Sequence, residues 1–170
     1  MKSARRQFPR GFSLVEILIV VVIIGILAAI AVPKLSNASQ VARENSLKDD
    51  LRLLRTAVGV YKTQHFVNPG YPGGDATQTA TQQAVFDQLL QFTDANGNTA
   101  AGSSAVFKYG PYMNQMPANP LNGSSDWKIL SDYDTFVADG TTGWLYQPST
   151  GLLKANVVGN DSGGRAVVDY

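Results

Sequence analysis

Glu16 is a carboxylate set inside an otherwise apolar run that covers residues 12–32 of this 170-residue chain. The chemistry open to an acid so placed is the neutralisation of a cation. Unpaired in hydrocarbon, an acidic side chain costs about 2.5–3.5 kcal/mol at mid-span on insertion scales, and less near the ends. Glu16 therefore requires a partner. The remaining reactive residues form no pattern. His65 is the sole histidine. It falls at a predicted helix end and reads as a surface residue that complements the helix dipole. One histidine and scattered serines give no nucleophile–base arrangement, and there is no Walker A, G-x-G-x-x-G or H-E-x-x-H segment. The absence of cysteine excludes a disulfide framework, a thiolate metal site and a cysteine nucleophile.

The element that carries Glu16 is set by charge and length. Lys2, Arg5, Arg6 and Arg10 precede the apolar run, and no acid does. The whole chain is balanced, with 14 Lys+Arg against 13 Asp+Glu. Aromatics are not interleaved with a basic patch, so no nucleic-acid partner is indicated. At about 1.5 Å per residue, residues 12–32 span the hydrocarbon core as a helix. The upstream cations place the N-terminus on the cytoplasmic side. Three readings compete. Ala29-Ile30-Ala31 is an A-x-A match for a secretory signal peptide. A plain single-span anchor would carry a periplasmic binding module. A leader cut just before the apolar helix is the third reading. The first two leave Glu16 without a reason.

Arg10-Gly11-Phe12-Ser13-Leu14-Val15-Glu16, the apolar run, Gly25 and Pro33 together resemble the prepilin-type N-terminus of type IV pilins and type II secretion pseudopilins. The resemblance implies a leader at residues 1–11, cleavage between Gly11 and Phe12 by prepilin peptidase, and N-methylation of Phe12. It also implies that Glu16 of one subunit neutralises the Phe12 amine of a neighbour during assembly. Positions 12 and 16 are four apart and would share a helix face.

The helical pattern continues beyond Pro33. Leu47, Leu51, Leu54, Val58 and Tyr61 recur at steps of four, three, four and three, an apolar stripe suited to packing on a core. Arg43, Glu44, Lys48, Asp49, Asp50, Arg52 and Arg55 read as the solvated face. Residues 12–33 form the membrane and assembly half of one helix, and 34–65 its amphipathic half. Gly25 and Pro33 are its expected points of interruption, since proline removes a backbone bond and clashes one turn back. In filaments of the resembled family the segment between the matching Gly and Pro is melted.

Residues 66–170 read as a globular α+β head. A Pro- and Gly-dense segment ends the helix near residue 66. A short helix is predicted within 77–92, a polar loop with an Asn96-Gly97 turn over 94–104, and strands at 127–130, 143–147 and 152–156. The last two flank Pro148-Ser149-Thr150-Gly151 as a hairpin. Tyr71-Pro72, Gly110-Pro111-Tyr112-Met113, Asn119-Pro120 and Gly159-Asn160-Asp161-Ser162-Gly163-Gly164 resemble the heads of type II secretion major pseudopilins.

That resemblance implies a type IV pilin-like fold, with the long helix packed on a small antiparallel sheet. It implies a non-enzymatic filament subunit in the bacterial inner membrane, with its head in the periplasm. Its partners would be copies of itself, minor pseudopilins, prepilin peptidase, membrane lipid, and an assembly platform with its ATPase. A surface type IV pilin or minor pilin is the alternative within the class. Many pseudopilins of this group bind one Ca²⁺, which takes six to eight oxygen ligands. Asp161, Asp169, Asp134 and Asp132 are the leading candidates here, with Asp126 and Asp139 behind them. No EF-hand spacing is present.

Overall fold

The computed structural model describes residues 11–170. The basic residues Lys2, Arg5, Arg6 and Arg10 of the expected leader lie outside the described residues. Two compact units follow each other along the chain, residues 1–39 and 40–170.

Helix α1 runs from Leu14 to His65 and belongs to both units. In the first unit, Leu14–Ala31 is long and apolar enough to cross a membrane, and none of it is buried in protein. An all-round apolar helix with no protein cover is stable only where lipid or other helices surround it.

In the second unit the helix turns amphipathic. Leu47, Leu51, Leu54, Val58 and Tyr61 are all buried, the five positions that the heptad-like spacing picks out. Glu44 departs from its expected place on the solvated face and is 2% exposed. It sits three residues before Leu47 and so continues the buried stripe. Arg55 departs too. Its guanidinium donates to the Leu153 carbonyl at 2.8 Å and to the Tyr170 carbonyl at 2.7 Å, which ties α1 to the sheet.

The head supplies the rest of the core. Helix α2, Gln82–Leu90, opens with Thr81, whose hydroxyl accepts from the Ala84 N–H at 3.1 Å. It lies within the predicted 77–92, and residues 77–81 stay outside it. Asp75 draws the Thr77 amide and hydroxyl into a local turn at 2.9 and 2.7 Å, and that competes with helix. At the other end Phe92–Thr93 becomes strand β1, paired antiparallel with β2, Thr99–Ala100. The expected Asn96-Gly97 turn lies between them, with Gly97 at φ +89°.

Strands β3 (Trp127–Ile129), β4 (Trp144–Gln147) and β5 (Leu152–Ala155) form a three-stranded sheet in that order. The β4–β5 hairpin is antiparallel, as its turn residues predict, and β3 adds in parallel with Trp127 opposite Trp144. All four residues of β4 are buried, and Trp144 and Tyr146 share the core cluster with residues of α1 and α2. The class is α+β, a type IV pilin-like arrangement of one long helix and a small sheet.

Candidate functional site

The first turn of α1 builds the candidate assembly site. Ser13 precedes the helix, and its hydroxyl accepts from the Glu16 N–H at 3.3 Å. Glu16 Oε2 accepts in return from the Ser13 N–H at 3.4 Å. This is a capping box, in which two amides that the helix cannot satisfy are satisfied reciprocally. The S-x-x-E spelling of such a box is legible in Ser13-Leu14-Val15-Glu16. The cap also changes the geometry expected of Phe12. Helix begins at Leu14, so Phe12 lies before the cap residue and does not share an i,i+4 face with Glu16. Phe12 and Leu14 are 75% and 91% exposed, so the whole first turn is open to a second molecule.

Of the expected calcium carboxylates, Asp132 is exposed, and Asp161, Asp134, Asp169 and Asp126 have partners of their own. Asp161 Oδ1 accepts from the Gly163 and Arg165 amides at 2.9 and 2.8 Å, and its Oδ2 accepts from the Tyr170 hydroxyl at 2.7 Å. Asp134 accepts from the Ser131 amide at 2.7 Å. Asp169 lies 3.6 Å from Lys154 Nζ, and Asp126 accepts from the Gln82 side chain. Among the described residues, no three Asp, Glu, His or Cys side chains gather as a metal site. These donor sets do not fit a calcium ion.

His65 is 7% exposed and so is not the surface residue its position at a helix end suggested. Its Nε2 lies 2.8 Å from the Tyr112 hydroxyl and 3.0 Å from Thr93 Oγ1. Tyr112 donates onward to Gln64 Oε1 at 2.7 Å. The Tyr61 ring lies 4.2 Å from the imidazole and the Tyr109 ring 5.3 Å. Among the described residues, no serine or carboxylate is hydrogen-bonded to the imidazole, and the cluster joins the end of α1 to β1 and to residues 109–112. Sequence could not place these partners, which lie 28 to 47 residues away.

Burial depresses the His65 pKa below 6.5, against raising contributions from the Ala95 carbonyl and Asp94. The unfolded chain therefore takes up the proton first. Stability is complete above about pH 6.5 and falls as pH drops from there toward the folded-state pKa. The melting temperature at pH 5.5 is therefore expected to lie below that at pH 7.5. His65→Gln should flatten that slope. Equal slopes in the two proteins would remove His65 as the cause.

A membrane-length apolar helix, capped at an exposed first turn and leading into an amphipathic stretch and an α+β head, defines a type IV pilin-like subunit. Residues 8–32 match the family described as "Prokaryotic N-terminal methylation motif". The type II secretion system core protein G of Klebsiella michiganensis is 41% identical over 127 residues, 75% of this chain and 77% of that protein. The Klebsiella pneumoniae core protein G is 30% identical over 125 residues, 74% of this chain and 76% of its own length. The Pseudomonas aeruginosa core protein G is 37% identical over 70 residues. That last match covers 41% of this chain and about half, 49%, of the relative. No solved structure matches the chain. The chain belongs to the type II secretion system core protein G family. Its apolar helix and methylation motif fit anchoring in the inner membrane.

Proposed function

We propose that this chain is the major pseudopilin of a type II secretion system, a structural subunit that polymerises from the inner membrane. The observation that carries the reading is one coincidence. The methylation motif at residues 8–32 falls on Leu14–Ala31, the one helical segment among the described residues that is long and apolar enough to cross a membrane, and none of it is buried in protein.

The proposed sequence of events follows from the first turn. Prepilin peptidase hydrolyses the Gly11–Phe12 bond and removes residues 1–11. The new Phe12 α-amine has a pKa of about 7.7–8.0 in model peptides, so it is largely protonated at neutral pH, and it is then N-methylated. The subunit waits in the membrane with its N-terminus cytoplasmic and its head periplasmic. There Glu16 is held by the Ser13 amide. During assembly the Phe12 amine of a neighbouring copy approaches the exposed turn and becomes the partner of Glu16. Two desolvated opposite charges then neutralise each other, as burial in a helical bundle demands. Residues 25–33 are helical in the single chain, although Pro33 has no N–H to donate to the helix in any state, and their melting belongs to the packed filament. Minor pseudopilins, the assembly platform and its ATPase complete the machine, and the chain itself has no catalytic role.

Mass spectrometry of the N-terminus of membrane-extracted protein tests this reading. The expected product begins at Phe12 and carries one added methyl group. A product beginning at Met1 would make the helix a plain anchor, and one beginning at Val32 would make it a signal peptide.

A further inference from the structure

We propose that two side-chain clasps hold the C-terminal loops of the head in place of a calcium ion, so that this chain folds and stays folded without calcium. The first clasp closes residues 131–142. Lys128 Nζ lies 2.7 Å from Asp139 Oδ2. Asp139 Oδ1 accepts from the Thr141 amide at 3.0 Å, the Thr141 hydroxyl at 2.7 Å and the Asn156 side-chain amide at 2.7 Å. Asn156 is fully buried, and its Oδ1 accepts in turn from the Asp139 and Gly140 amides at 2.8 and 3.0 Å. A carboxylate has about four lone-pair sites, and Asp139 has four donors, three on Oδ1 and one, the Lys128 ammonium, on Oδ2.

The second clasp closes the loop around Ser162. Glu44, on α1, accepts from the Ser162 amide at 2.9 Å and from its hydroxyl at 2.6 Å. Asp161, beside it, has both oxygens turned to donors on Gly163, Arg165 and Tyr170.

The physical argument is one of competition for lone pairs. Calcium binds through six to eight oxygens that must face it. Each N–H or O–H aimed at a carboxylate oxygen presents a positive hydrogen where the ion would have to sit. In the first clasp the Lys128 ammonium already supplies the positive charge that draws Asp139 inward. In the second, backbone amides and hydroxyls satisfy Glu44 and Asp161 with no cation between them. These loops therefore have their closing contacts within the chain, and calcium would have to break them to enter.

The test uses the full chain in detergent micelles. Thermal unfolding is compared in a chelator and in millimolar calcium chloride, with calcium titrated by calorimetry. Wild type is expected to melt at the same temperature in both and to give no binding heat. Lys128→Met and Glu44→Gln each remove one clasp contact and keep the side-chain stem. Each is expected to melt about 2–6 °C lower in both conditions, with no recovery on adding calcium. A rise of several degrees for wild type in calcium, or saturable calcium heat, would overturn the proposal. So would variants that melt like wild type, because the clasps would then hold nothing. Should Glu44→Gln fail to fold, Lys128→Met, whose pair is half-exposed, still decides.

Discussion

Glu16→Ala is expected to enter the membrane, to lose its leader and to give no filament. Insertion should not suffer, since the change removes the one charge from the apolar run. The proposed cleavage, between Gly11 and Phe12, lies outside the helix, which begins at Leu14. Assembly is another matter. Without Glu16, a protonated Phe12 amine must enter a desolvated bundle unpaired, and breaking a buried pair from one side costs about 3–5 kcal/mol. Repeated at every subunit, that cost prevents polymerisation. The capping box offers a rival account, in which Glu16 matters only as the partner of the Ser13 amide. Glu16→Gln separates the two, because it keeps an oxygen to accept from the Ser13 amide and removes the charge. Loss of a cap costs typically about 1 kcal/mol, so if the cap were all that mattered Glu16→Gln would assemble, whereas the charge pair predicts that it fails as Glu16→Ala does. Yields of sheared filaments, with processing followed by the size of the subunit, measure both. Normal filaments from Glu16→Ala would end the charge-pair account.

Trp144→Ala should have the largest effect on the head. Trp144 is fully buried on the central strand β4, opposite Trp127 on one side and Ala155 on the other. Its indole N–H donates to the Pro117 carbonyl at 3.2 Å. Truncating a buried tryptophan costs about 3–5 kcal/mol, a large part of the 5–15 kcal/mol that stabilises an ordinary domain. The melting temperature should fall by about 6–20 °C. Processing at Gly11 should continue, because it depends on the first unit. Trp127→Phe is the matched control. The Trp127 indole N–H is buried without a hydrogen-bond partner among the described residues. Its removal discards no bond, and the cost should be clearly smaller. A Trp144→Ala head that melts like wild type would show that the sheet does not centre on β4.

Some features were legible because the physics that sets them is local. The membrane helix follows from an unbroken apolar run of sufficient length, and the buried face of α1 from the steps of four and three between Leu47 and Tyr61. The β4–β5 hairpin follows from Pro148 to Gly151, where Gly151 takes φ +76°. Each of these depends on neighbours within one or two turns of chain. Other features were misread for an equally definite reason. Two-residue strands such as β1 and β2 are too short to show a period. The parallel docking of β3 on β4 depends on how residues 130–143 return, which no alternation of apolar residues encodes.

Single side chains divide in the same way. The sequence by itself determined that Glu16 needs a partner, because a carboxylate in an apolar run is a local contradiction. It determined the processing motif and the amphipathic half of α1. Only the tertiary structure decided that His65 is buried against Tyr112 and Thr93, that Glu44 turns inward to Ser162, and that Asp139 and Asp161 are occupied by donors of the chain itself. Ser162 lies 118 residues from Glu44. Whether a charge faces water or a donor across such a distance is fixed by the packing of the core, which sets where the two backbones meet.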